Sequence, residues 1–291
     1  MRVGAIVLPE HGWARTRETW RRLEEMGLDH AWTFDHHSWR DLRDSPWYDA
    51  ISTLTAVAAT TGTIRIGTMV STPNFRHPAV LAKQVMTLDE ISGGRFVLGI
   101  GAGALGADSG LLGGPELSPA TRADRFAEFV ELSDRLLRSP ATTFSGSFYE
   151  VVDARMVPGC VQRPRVPFAI AATGARGLDL VATHARTWVT IGDARRPGER
   201  TDTESRQVLR RQLSLLAEAC EKRNRELGSV GKLVNLSRAF EAPFASPARF
   251  ADLLGTCAEL GFTDVVVNHP RPSGVFAGDV TAFERAVLST R

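Results

Sequence analysis

The chain has 291 residues, 43% hydrophobic and 23% charged, with a formal net charge of +2. That balance suits one well-filled soluble domain and argues against a nucleic-acid surface or a membrane patch. The three cysteines, Cys160, Cys220 and Cys257, form no C-x-x-C pair and no disulfide framework, so a reducing cytoplasm is the expected setting.

The opening stretch "RVGAIVL" predicts a strand. Its apolar run is short and ends at Pro9, unlike a signal peptide, and no apolar run reaches the roughly 20 residues of a membrane span. Trp20, Leu23 and Met26 then recur at helical spacing, with Gly27 as the stop. "HAWTF" predicts a strand and "YDAISTLTAVAATTG" a helix; "IRIGTMV" follows as a strand and "HPAVLAKQVMTLDEISGG" as a helix with Pro78 in its first turn. "RFVLGIG" is the fourth strand, and residues 119–137 form a long amphipathic helix. Ser139 to Arg165 predicts a loop or small hairpin insertion. The alternation resumes with strands "VPFAIAA", "TWVTIG", "GKLVNLSRAF" and "TDVVVN". Helices are expected over 174–185, 206–227, 246–261 and 279–289, with a charged loop after Gly192. About eight strands, each followed by a helix, predict a single (β/α)8 TIM barrel over residues 1–291 with insertions in the βα loops, and chemistry just after the strand ends.

"GAGALG", residues 101–106, fits the dinucleotide fingerprint G-x-G-x-x-G. That motif needs a first strand before it and a helix opening on it; here the strand is the fourth, and more glycines and prolines follow Gly106. A loop of bare backbone at a barrel strand end is the better reading, and its N–H groups suit an anion.

"FDHHSWR" follows the second strand. His36 is a candidate acid/base near neutral pH and Asp35 its orienting or charge partner. A metal site would need His36, His37, His77, His184 and His269 to converge, and no H-x-H or H-E-x-x-H supports one, so no metal is expected. "GTMVSTPNFRHP" offers Arg76 or His77 to a ligand, or simply starts a helix at Pro78. Thr173 and Gly174 offer a hydroxyl and N–H groups at a helix N-terminus, either to a phosphate or as an ordinary helix start with Thr173 as N-cap. Trp188 offers either a stacking face or core bulk.

The segment from Tyr48 to Gly103, with "FDHH", residues 170–190 and the closing "ELGFTDVVV", resembles the luciferase-like family of flavin- and deazaflavin-dependent oxidoreductases, over nearly the whole chain. The resemblance implies a barrel that holds reduced FMN or coenzyme F420 at its C-terminal rim. It implies a bulge under the central ring at Met69, Val70 and Ser71, often with a non-proline cis bond. It places the cofactor phosphate at Ala102, Gly103, Thr173 and Gly174, and an Asp-His pair, Asp35 and His36, at the deazaflavin. In the sugar-phosphate dehydrogenases of the family an acidic residue follows the glycine loop, where this chain has Ala104. The expectation is an F420-dependent oxidoreductase acting on a small organic substrate. An FMN-dependent monooxygenase is the alternative, and a non-catalytic cofactor-binding barrel the third reading. A homodimer through the second and third helices is expected as well. The pocket is expected to be shaped by residues 106–119, 139–165 and the charged loop.

Overall fold

The computed structural model describes residues 1–193 and 201–291. Eight parallel strands close into a ring in the order β1 (Arg2–Ile6), β2 (His30–Thr33), β3 (Arg65–Thr68), β4 (Phe96–Gly101), β7 (Phe168–Ala171), β8 (Thr187–Thr190), β9 (Gly231–Asn235) and β10 (Asp264–Asn268), which returns to β1. Ile6 lies against Trp32 on one side and Asn268 on the other, so the ring has no free edge at its start. The (β/α)8 barrel expected from the alternation is the observed fold.

The helices around it are α1 (Trp13–Glu25), α2 (Ala50–Ala58), α3 (Pro78–Ile91), α4 (Pro119–Arg138), α5 (Ala175–His184), α6 (Asp202–Lys222), α7 (Leu236–Ala239), α8 (Pro247–Glu259) and α9 (Val280–Leu288). Their starts follow local chemistry. Asp49, Ser118, Ser246 and Asp279 each accept a backbone N–H of the first turn, and proline opens α3, α4 and α8. Thr201 and Glu204 cap each other's backbone, which starts α6 at Asp202, earlier than the sequence spacing suggests.

Period-two alternation sorts the strand side chains into two cores. Ile6, Trp32, Val97, Ala169, Val189, Leu233 and Val266 fill the barrel interior, with Phe34, Met69 and Ala171 stacked above them. The opposite faces pack on the helices through Trp20, Leu54, Phe129, Phe168, Phe250 and Phe283. Burying side chains of this size contributes about 1.5–3 kcal/mol each. Trp188 belongs to this outer core: it is fully buried, stacks on Phe262 and donates to the Ala172 carbonyl at 2.7 Å. It offers no face to a ligand.

Three expectations are corrected. "GKLVNLSRAF" is not one strand: β9 ends at Asn235 and α7 turns the chain back over the mouth. Ser237, on that turn, accepts the backbone N–H of Asn268 at 3.0 Å and so ties it to the next strand end. Residues 139–165 do hold a hairpin, β5 (Ala141–Ser145) with β6 (Glu150–Arg155). It connects α4 to β7, however, and an αβ connection lies at the opposite end of the barrel from the mouth. None of its residues lines the cavity described below. Finally, a short 3-10 turn, Ala107–Gly110, does open on Gly106, although the next α-helix waits until Pro119. Of the charged loop after Gly192, residues 194–200 lie outside the described residues.

Candidate active site

The C-terminal ends of the strands surround a cavity of about 580 Å³. Its inner wall is apolar, with Met69, Val70, Ala102, Ala171 and Val189 among the lining residues. Its polar groups come from loops after different strands.

After β2 the chain runs through Phe34, Asp35 and His36. Asp35 is fully buried and does not line the cavity. Its carboxylate accepts from Ser71 Oγ at 2.5 Å and from Arg76 Nη2 at 2.6 Å and Nε at 3.1 Å. Arg76 also reaches Asp49 at 2.6 Å, which places Asp35 and the cap of α2 in one network. Burial works to lower the Arg76 pKa, but the two carboxylates outweigh it and hold the guanidinium above its ordinary value. Neither Arg76 nor His77 is offered to a ligand: His77 caps α3 and meets the Tyr149 ring edge-on.

The partner of His36 is therefore not Asp35. It is Asp108, on the 3-10 turn after β4, whose Oδ2 lies 2.6 Å from His36 Nδ1. Asp108 Oδ1 also accepts the backbone N–H groups of His37 and Ser38 at 3.1 and 3.3 Å. The Asp108 side chain is 6% exposed and that of His36 31%. A carboxylate acting as acceptor to all these groups fixes the proton on Nδ1 and leaves Nε2 as the imidazole's open nitrogen. The expected pairing failed for a geometric reason. At the strand end Asp35 points behind the wall to β3, while His36 lines the cavity.

After β3 the Met69–Val70 peptide is cis, as the resemblance implied. The chain then rejoins the ladder, with Ser71 N donating to Gly99 O at 2.8 Å and Gly101 N donating to Ser71 O at 3.0 Å. Met69 and Val70 line the cavity, and Ser71 is buried behind them on Asp35. This close contact explains Gly99, where a Cβ would fall 1.8 Å from the Thr68 carbonyl oxygen. Gly103 adopts φ +75°, and a Cβ there would meet the Asn74 side chain at 2.8 Å. Asn74 in turn donates to Ala104 O at 3.0 Å and accepts from Arg125 at 2.7 Å, fixing the glycine loop.

Ala102, Gly103, Thr173 and Gly174 all line the same cavity. Gly174 precedes α5 without a side-chain cap, so the first N–H groups of that helix are left for a ligand. Arg176, in its first turn, lines the cavity and pairs with Asp124 at 2.8 Å. This donor set fits a phosphate, and the apolar wall fits a flat ring.

Sequence reasoning missed Asp108, Arg176, Arg40 and Arg238. One signal for Asp108 was present: it is the first acid after β4, in a glycine-rich loop at the barrel rim. His77, His184 and His269 have separate neighbours, Tyr149, Asp134 and Phe283. Among the described residues no group of three or more His, Cys, Asp or Glu is placed to hold a metal ion.

Residues 1–229 match the luciferase-like monooxygenase family. The chain belongs to that family. Among its relatives, an F420-dependent glucose-6-phosphate dehydrogenase of Kineococcus radiotolerans is 32% identical over 224 residues, 76% of this chain and 62% of the relative. A 4-hydroxyprotoasukamycin monooxygenase of Streptomyces nodosus subsp. asukaensis is 30% identical over 212 residues, 68% of this chain and 55% of the relative. The matches span about half to three fifths of the length of these curated relatives. In fold, the chain is similar to an F420-dependent secondary alcohol dehydrogenase solved with an F420–acetone adduct. The TM-score is 0.81 at 17% identity, covering 99% of this chain and 97% of the other. No helix among the described residues is long and apolar enough to cross a membrane.

Proposed function

We propose that this luciferase-like protein is an F420-dependent oxidoreductase that moves a hydride between the deazaflavin and a small organic substrate. The observation that carries the reading is the His36–Asp108 pair, 2.6 Å apart, at the mouth of an apolar cavity. The relatives named as F420-dependent dehydrogenases support it. When bound, the cofactor supplies or accepts the hydride. The chain supplies the proton chemistry and the positioning. Asp108 keeps His36 in the Nδ1–H form, so Nε2 takes a proton from a substrate hydroxyl or, once charged, gives one to a carbonyl. Asp35 acts at one remove, holding Ser71 and Arg76 so that Met69 and Val70 stand as the ring's backing. Ala102, Gly103, Thr173, Gly174 and Arg176 hold the phosphate, and the apolar wall excludes water from the transfer.

The second reading, an FMN-dependent monooxygenase, has the relative named as a 4-hydroxyprotoasukamycin monooxygenase in its favour. Titration with both reduced cofactors separates them. Saturable binding of reduced F420 and none of reduced FMN is expected, and the reverse result ends the F420 reading. The reading includes a homodimer through α2 and α3, supported by the exposed apolar side chains Val80 and Ile91 of α3. Sedimentation at the mass of a single chain rejects it.

A further inference from the structure

Arg238 is left over by the chemistry above. It stands on α7, half-buried, and lines the cavity. Among the described residues no carboxylate, carbonyl or hydroxyl accepts from its guanidinium. Its close partners are the Phe276 ring, 5.9 Å from Cζ, and a second cation, Arg40. Burial, and then the like charge of Arg40, push the Arg238 pKa below its ordinary value. An aromatic face is a weak partner for a desolvated cation, and burying a charge without a counter-ion is costly.

Arg40 completes the picture. It lines the same cavity and lies 5.7 Å from the centre of Trp39, whose ring stacks on Phe276 at 5.9 Å and 15°. Arg40 and Phe276 have φ of +41° and +58°, two of the five left-handed non-glycine residues among those described. Backbone in this region gathers at ligand sites. Phe34 touches the His36 ring, Phe276 and Trp39, at 6.1, 6.3 and 5.2 Å, so two aromatic rings link each arginine to His36.

Ring order decides which anion they face. Arg40 follows β2 and Arg238 follows β9, with β1 and β10 between them. The glycine loop and the Thr173–Gly174 turn follow β4 and β7, diametrically across the barrel. The cofactor's phosphate donors are thus on one side and these two cations on the other.

We propose that Arg238 and Arg40, backed by Trp39 and Phe276, form a subsite for the anionic end of the substrate, a carboxylate or a phosphate, in the cavity that His36 also lines. The word substrate rests on the oxidoreductase reading; the anion site does not. The test uses benzoate and inorganic phosphate as probes at constant ionic strength, read by titration calorimetry on the F420-loaded protein. At least one probe binds saturably, and Arg238→Gln and Arg40→Gln each weaken it ten-fold or more. Arg238→Lys recovers part of the loss, and the variants keep the wild-type thermal midpoint. The probe that binds names the class. No saturable binding, or binding unchanged in Arg238→Gln, overturns the proposal. So does an Arg238→Gln variant that loses F420 instead, because the pair then serves the cofactor's own anionic tail. On cofactor-free protein phosphate also meets the Arg176 side, and only binding lost in Arg238→Gln counts. If F420 fails to bind while that binding persists, the cofactor reading falls and the anion site stands.

Discussion

The two ends of this barrel are built on opposite terms. At the floor, where the strands begin, several charged groups are closed on multiple protein partners. Arg95 donates to the Ala58, Thr61, Ile64 and Ser92 carbonyls and to the Thr61 hydroxyl. Arg225 closes the end of α5 on the carbonyls of Val181, Ala182 and Ala185. Glu24 accepts the N–H groups of Gly62, Thr63 and Ile64. Arg165, buried, bridges Asp134 on α4, its neighbour Val166 and the His184 carbonyl on α5. At the mouth, Arg238 lacks an acceptor among the described residues, the N–H groups of α5 are uncapped, and His36 keeps one nitrogen open. Donors left open at a barrel mouth, in a fold that closes such groups on several partners at its floor, fit the reading that a ligand completes them.

The comparison breaks if mouth substitutions cost stability or floor substitutions cost chemistry. His36→Asn is expected to lower kcat by about 10²–10⁴-fold, the usual worth of a positioned acid/base. Its F420 affinity and thermal midpoint should stay near wild type. Retained turnover in this variant would remove His36 from the chemistry; absent turnover in the wild type would leave a cofactor-binding barrel.

On the floor, Arg165→Met removes the buried partner of the Asp134 carboxylate and leaves it Arg138 and, at 3.8 Å, His184. Removing one partner of a largely buried pair costs about 3 kcal/mol, or roughly 6–12 °C in a chain of this size. Calorimetry should show that loss with kcat per folded molecule unchanged. A midpoint within 2 °C of wild type, on the order of a surface pair, would mean that the floor is not the stabilising end.

Asp108→Asn keeps the shape of the pair but lets the amide donate to Nδ1, favouring the wrong tautomer. A loss of roughly 10–100-fold in kcat is expected, smaller than for His36, with a displaced pH profile. An unaltered profile would reduce Asp108 to a loop clamp.

The smallest effect is acid sensitivity. Burial works to raise the Asp134 carboxyl, but His184, Arg138 and Arg165 outweigh it and hold it well below the usual range; Asp264 is held low by His30, Arg2 and Thr263 against the same burial. A carboxylate depressed in the folded state contributes stability that is complete above its unfolded pKa and lost as the pH falls below it. Unfolding free energy should therefore stay level with respect to these two groups down to about pH 4, then decline. The decline should be shallower in Arg165→Met. Equal slopes in the two proteins would assign the acid sensitivity elsewhere.

The barrel was legible because its signals are local. Strand and helix periods, Pro78 and Pro119 at helix starts and Gly27 after α1 can each be read within a few residues. His36 was legible because the topology places the residue after a strand at the rim. Asp108 was not, since its tie to His36 joins residues 72 apart across the loops of β2 and β4, and no sequence period encodes such a meeting. Arg238 was hidden by an apparent continuation of β9, because "LSRAF" carries the same apolar character in a helical turn as in a strand. Asp35 was found but given the wrong partner: its neighbour in sequence is on the other side of the wall.

The loop from Ala102 to Ser118 ties these threads together. It leaves β4 at Gly101, touches the barrel through Asn74 on Ala104 and through Asp108 on the His36 turn, and ends where Ser118 caps α4. The floor's ion pairs do not involve it. Descendants of this chain can therefore exchange the loop as a cassette. A different acid, or none, can be set against the same histidine while the inherited frame folds as before.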